Sequence, residues 1–221
     1  FIEGNSWNFS FHVPQDVYGL IGVMGGEQAF LKKLDELFEM DLPAVYYKDN
    51  EDITADCLVG GYVHGNEPSH HVPYLYAWTS APWTAQRRLR GIMNKMYRNM
   101  IRGLGGNDDC GQMSAWYIFT ALGFYPVCPG SDQYVLGAPY MPYMNVTLPN
   151  GKQLVIRANR VSDKNCYVQS VKMNGKPYTK LCVTHAELLR GCTLEFTMGS
   201  KPNRKRGLAR EDKPYSMTVG E

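Results

Sequence analysis

The sequence predicts a mainly α-helical fold that ends in a small β unit, with the helices forming part of an α/α toroid. Three observations carry this. Before about residue 124, apolar residues recur at helical spacing. After it they fall in short alternating runs, divided by Pro149-Asn150-Gly151 and Asn174-Gly175-Lys176, both hairpin turn signals. Between the helical runs lie loops rich in Gly, Asn, His and Asp, the arrangement of paired helices with functional loops gathered between them.

Residues 28–40 set Phe30, Leu31, Leu34, Leu37 and Phe38 on one face, with charged residues between them. Residues 72–80 are short, apolar and aromatic, which predicts a buried helix ahead of the break at Pro82-Trp83. Residues 84–102 read as a long basic amphipathic helix, with Leu89, Ile92, Met93, Met96, Tyr97 and Met100 inward. Residues 112–122 form an apolar helix stopped by Gly123. Strands are expected at Val135, 144–148, 153–158, 167–173 and 193–198, as a small antiparallel sheet or sandwich. The boundary lies near 125–145, dividing the chain into residues 1–130 and 131–221, the latter with a polar tail.

Composition narrows the function. A net charge of +2 offers no field for nucleic acid, and the basic run at 201–210 reads as a solvated tail. No apolar stretch is long enough to span a bilayer. The six cysteines form no Cys-x-x-Cys pair, which argues against a zinc ribbon. There is no leader-like segment, and Phe1 opens directly on site-like residues, so the chain is expected to be a piece of a longer protein. Fifteen Tyr, eight Phe and four Trp, many beside Gly, Asn and His, lean toward sugar binding, since sugar C–H faces stack on aromatic rings.

Three clusters are candidates for chemistry. In residues 2–9, Glu3 stands among Gly4, Asn5 and Trp7, a setting that suits a proton donor, though by this cluster alone a capping or loop glutamate is the commoner reading. In residues 61–71, His64, Asn66, Glu67, His70 and His71 crowd together. Zinc is one use for the histidines, but the spacing is not His-Glu-x-x-His. Asn66 and Glu67 supply oxygens that suit calcium. Histidines that bond sugar hydroxyls, or a polar turn with Ser69 as helix cap, remain open as well. In the third cluster Asn107, Asp108 and Asp109 precede a helix, either as an Asx-type cap or as a base or metal ligand held at a pocket mouth. Two carboxylates facing each other across a sugar ring make a glycosidase, and an inverting one keeps them about 6.5–9.5 Å apart to admit a water.

These segments resemble glycoside hydrolase family 92, the calcium-dependent exo-α-mannosidases of gut bacteria. The resemblance rests on residues 2–7, Val13-Pro14-Gln15-Asp16, 61–71, 106–117, 123–127, 162–170 and 173–176, nearly the whole chain. It implies an N-terminal β-sandwich followed by an (α/α)6 barrel, of which residues 1–130 would be the C-terminal part of the barrel. The missing N-terminal part of the same enzyme is then a required partner. Glu3 matches the family's general acid and Asp109 its general base. Asn66, Glu67 and Asp109 are the expected calcium ligands. Trp7, His64, His70 and His71 are expected to line the mannose pocket, with Asn107 and Asp108 beside the base.

The resemblance implies a mannose-containing glycan as substrate, α-1,2 linkages among its targets, and a periplasmic or extracellular location. Two departures bear on it. Asn107 stands where some members carry Asp, so Asn107 or Asp108 is expected to assist the base. Asn50-Glu51 stands where α-1,2-specific members carry His-Glu, with Glu51 still able to bind the leaving sugar. Two rivals remain. A non-catalytic glycan-binding module would not need both Glu3 and Asp109. A phosphorylase on an α/α toroid would need a phosphate cluster, which the sequence lacks near the acidic turn.

Overall fold

The computed structural model describes residues 3–48, 55–101 and 103–219. Asn50 and Glu51 lie outside the described residues. The chain forms two compact units. One comprises Phe1–Val72, Gly91–Tyr117 and Ser216–Glu221; the other comprises Pro73–Arg90 and Ile118–Tyr215.

In the first unit, α1 (Ser6–Phe9) is capped by Asn5, whose side chain accepts the Asn8 N–H at 2.9 Å. Asp16 caps α2 (Val17–Val23) in the same way through Gly19. Neither helix was foreseen, because a periodic pattern needs more turns than either contains. The helix α3 (Glu27–Glu39) matches expectation and buries Phe30, Leu34, Leu37 and Phe38. A two-stranded ribbon pairs β1 (Leu58–Val59) with β2 (Tyr62–Val63), antiparallel.

The long helix ends earlier than its sequence suggests. As α4 it covers Trp83–Met96, and only its last turns, from Gly91, belong to this unit. The chain then doubles back. Arg98 N–H donates to the Gly103 carbonyl at 2.7 Å and Gly105 N–H to the Met96 carbonyl at 2.9 Å. Met100, expected inside, is 60% exposed. The first turns of α5 (Gln112–Leu122) complete the unit, with Met113 and Trp116 fully buried.

The second unit starts with residues 73–78 of a buried helical stretch, Val72–Trp78, which is a 3-10 helix rather than the expected α-helix. Pro73 has no N–H to give, and the tighter winding shows in the Thr79 N–H bond to the Tyr76 carbonyl at 3.1 Å. One sheet of three strands follows the order β3 (Phe124–Tyr125), β4 (Gln133–Leu136), β9 (Cys182–Thr184). The other has five strands: β5 (Tyr143–Thr147), β6 (Gln153–Asn159), β10 (Cys192–Gly199), β7 (Tyr167–Met173) and β8 (Lys176–Pro177).

The expectation of an antiparallel sheet needs correcting, because β6 and β10 are parallel. Their connection runs through β7, β8, β9 and a short helix α6 (His185–Leu189), long enough for the crossover that a parallel pair requires. The hairpin at Asn174-Gly175 is confirmed, both residues having positive φ (51° and 79°), as a two-residue turn demands. Alternate residues Leu154, Ile156 and Ala158 of β6 and Cys192, Leu194, Phe196 and Met198 of β10 share one core with Phe124, Leu136 and Val183 of the other sheet.

Candidate active site

All three sequence clusters fall in the first unit, and the structure joins them. Glu3 holds a left-handed backbone (φ 57°), uncommon for a residue with a side chain, and is half-buried. Asn5 ties this loop to the ribbon by donating to the Gly61 carbonyl at 2.9 Å. The Asn66 amide donates to the Glu3 carbonyl at 2.7 Å, which joins the first cluster to the second. Asn8 reinforces the join: its amide donates to the Ser69 hydroxyl and its oxygen accepts the Val63 N–H.

The second cluster meets the third at two glycines. A Cβ on Gly65 would lie 2.9 Å from the Gly105 carbonyl oxygen, and one on Gly106 (φ +149°) would overlap Gly65 Cα. Only two glycines permit this approach, which sets the loop of Asn66 and Glu67 against the loop of Asn107, Asp108 and Asp109. The acidic turn follows. Asp108 accepts from Ser114 N–H at 3.0 Å and Ser114 Oγ at 2.6 Å, so its carboxylate caps α5. The Ser114 hydroxyl and amide hold the Asp108 carboxyl below the usual carboxylate range. Asp109 is exposed, and Cys110 after it also has a left-handed backbone (φ 54°). Two such strained residues, Glu3 and Cys110, thus occur in or beside the candidate acid and base, where strain is most often kept for function.

The histidines lie beneath these loops. His64, His70 and His71 are 0%, 1% and 5% exposed. His64 bonds the Tyr62 hydroxyl through Nδ1 at 2.9 Å and the Tyr97 hydroxyl through Nε2 at 2.7 Å. His70 Nε2 donates to the His64 carbonyl at 2.9 Å, and His71 Nε2 to the Phe11 carbonyl at 2.8 Å. Burial pushes His70 and His71 down to about 4 and His64 well below its ordinary value, so all three are neutral at pH 7. This geometry supports the loops rather than a zinc ion, both ring nitrogens of His64 being taken by tyrosines. Trp7 is half-buried, and the Lys33 ammonium sits 4.1 Å from its ring centroid, a cation–π contact that the sequence did not signal.

Among the described residues no three His, Cys, Asp or Glu side chains gather in a way that could hold a metal ion. One oxygen of the second cluster is nevertheless left unsatisfied among the described residues. Glu67 Oε1 is buried and has no hydrogen-bond partner among the described residues, an arrangement that costs free energy unless a donor or cation meets it. Carboxylate and amide oxygens suit a hard cation, which takes six to eight of them. Glu67 and its neighbours therefore fit as a fraction of a calcium shell.

The model of the glycosyl hydrolase family 92 catalytic domain matches residues 1–200. The chain belongs to glycosyl hydrolase family 92. Within the family, it is similar to a GH92 alpha-mannosidase from Bacteroides thetaiotaomicron, at 42% identity and a TM-score of 0.90, over 98% of this chain and 28% of that one. A GH92 inverting mannosidase from the same organism gives 37% identity and a TM-score of 0.84, over 98% of this chain and 30% of that one. An uncharacterized secreted glycosidase of Arthroderma benhamiae is 29% identical over 99% of this chain and 26% of its own length. The GH92 chain therefore spans between a quarter and a third of these relatives. No helix of the described residues is long and apolar enough to cross a membrane.

Proposed function

We propose that this chain carries the acid and base of an inverting exo-α-mannosidase that removes terminal mannose, α-1,2 linkages included, from glycans. The observation that carries the reading is the joining of three loops: Asn66 bonded to the Glu3 carbonyl, and Gly65 packed on Gly106 ahead of Asp109. The loops that carry Glu3 and Asp109, distant in sequence, are thereby each joined to the loop of residues 65–66, and a pair of carboxyl groups is what glycoside hydrolysis needs.

Glu3 donates its proton to the glycosidic oxygen as the bond to the leaving sugar breaks. Asp109 takes a proton from the water that attacks the opposite face of the ring, giving β-mannose from an α-linkage. Asp108 holds the turn by capping α5, and Asn107 orients the water. Trp7, with the loop of His64, His70 and His71, borders the mannose site, and Asn50 and Glu51 contribute to the leaving-sugar side. Asn66, Glu67 and Asp109 would hold calcium, together with oxygens from elsewhere in the enzyme, and calcium would supply charge to bind and orient sugar hydroxyls. The helices belong to an (α/α)6 barrel completed by the remaining part of the enzyme. The site of action is extracytoplasmic, in keeping with the secreted fungal relative.

The test uses a family-length enzyme containing this chain and a panel of α-mannobioses, followed by proton NMR with calcium and then with a chelator. Release of β-mannose that stops on chelation, and its loss in Glu3→Gln and Asp109→Asn, is the expected result. Release of α-mannose, or full turnover in either variant, would overturn the assignment.

A further inference from the structure

Two buried histidines and a tyrosine hold one face of α5 by hydrogen bonds whose direction the structure determines. The Met113 carbonyl can only accept, so the Tyr97 hydroxyl donates to it, at 3.0 Å. That hydroxyl is then the acceptor for His64 Nε2–H at 2.7 Å, and His64 Nδ1 must accept the Tyr62 hydroxyl at 2.9 Å. The chain runs from Tyr62 through His64 and Tyr97 to Met113, with no freedom to reverse.

A second chain fixes its neighbour. The His64 carbonyl can only accept, so His70 Nε2 carries the proton, at 2.9 Å. His70 Nδ1 is then free to accept from the Gln112 amide at 3.3 Å, and the His70 carbonyl accepts the Trp116 indole N–H at 2.9 Å. The Trp116 ring stacks on Tyr97 at 5.8 Å with 7° between planes, and stands edge-on to His64 at 4.4 Å.

Gln112, Met113 and Trp116 lie on one side of the first two turns of α5, and Asp109 precedes Gln112 by three residues. We infer that His64, His70 and Tyr97 are positioning residues for Asp109: each histidine is locked in its Nε2–H tautomer, and together they set the placement of the turn that carries the proposed base. This inference rests on the reading of Asp109 as general base. Burial supports it, since both rings, 0% and 1% exposed, make these bonds in the low-dielectric interior, where hydrogen bonds are strengthened. Catalysis tolerates little displacement: a shift of about 1 Å at a reacting group costs on the order of a hundredfold.

The test has two arms on a family-length enzyme containing this chain. In the first, 15N NMR of labelled imidazoles reads the tautomers in the unaltered protein. Nε2–H for both His64 and His70 at pH 7 is expected; Nδ1–H or imidazolium at either would overturn the inference. In the second, Tyr97→Phe removes one hydroxyl, and Gln112→Leu removes the donor to His70. Each is expected to lower kcat by roughly 10- to 100-fold while KM changes by less than about threefold. A kcat within twofold of the parent in both variants overturns it, as does a loss confined to KM. If the unaltered enzyme releases no mannose, the function reading fails, and the tautomers still decide whether the two chains exist as drawn.

Discussion

The Asn66 side-chain amide donates to the Glu3 carbonyl at 2.7 Å, linking residues 63 positions apart. An amide can do this and a carboxylate cannot, because only the amide has an N–H. Asn66→Asp keeps the size and the oxygen but sets a negative charge against a carbonyl. It is expected to lower kcat/KM at least about tenfold by loosening the Glu3 loop. Steady-state kinetics on an α-mannobiose checks this, and an unchanged kcat/KM would show that the tie is dispensable.

The Gly65–Gly106 approach separates two ways in which glycine is needed. Gly106→Ala meets the backbone of Gly65 as well as an unfavourable φ, whereas Gly111 (φ +76°) has nothing within 4 Å of a Cβ. Gly106→Ala is expected to cost about 2–3 kcal/mol or more and Gly111→Ala about 1 kcal/mol. Urea unfolding of both variants measures the difference, and equal losses would mean that the loops do not pack this closely.

Acid should destabilise the first unit before most carboxylates titrate. His70 and His71 have folded values of about 4, and His64 is also well depressed, mainly because burial disfavours the charged ring. The unfolded chain binds these protons near 6.5 and the folded chain does not. Stability is therefore insensitive to these groups above 6.5 and falls as pH drops from 6.5 toward 4, by up to about 1.4 kcal/mol per unit per histidine. Denaturation midpoints at pH 7 and pH 5 are the measurement, with the lower midpoint expected at pH 5.

Asp16 closes the C-terminal segment onto the first unit. Its carboxylate accepts from Gly19 N–H, Ser216 Oγ, Thr218 N–H and Thr218 Oγ1 at 2.7–3.1 Å. Burial acts to raise its pKa, but the bonds from Thr218, Ser216 and Gly19 outweigh it and bring it down to about 2. Asp16→Ala is expected to cost about 1–2 kcal/mol through the lost helix cap, and to leave the Thr218 amide open to hydrogen exchange. A Thr218 amide as protected as in the parent would rule out the clasp.

The segments with many repeats of one pattern were legible. α3, α5, β6, β7 and β10 were placed to within one residue, because several side chains repeating on one face outweigh local noise. What failed was non-local. Helix α4 stops at Met96, where the chain turns back so that Gly105 donates to Met96 and Gly103 accepts from Arg98, a return that leaves no mark on the apolar period. The parallel pairing of β6 with β10 depends on a crossover of some thirty residues and leaves no mark on either strand, since both alternate in the same way. The Lys33–Trp7 contact likewise joins two helices, α3 and α1, that are distant in sequence.

By itself the sequence determined the family-like strings, the candidate acid Glu3, the candidate base Asp109, and the periods that make helices and strands, all properties of neighbouring residues. Only the tertiary structure decided that the three loops meet, that Asp108 is spent on capping Ser114, and that His64 and His70 lie buried in single tautomers behind α5. The reason is physical. Chain-local patterns follow from side-chain spacing, whereas a buried polar group takes its role from whichever distant donor or acceptor satisfies it, and that partner is known only once the chain has folded.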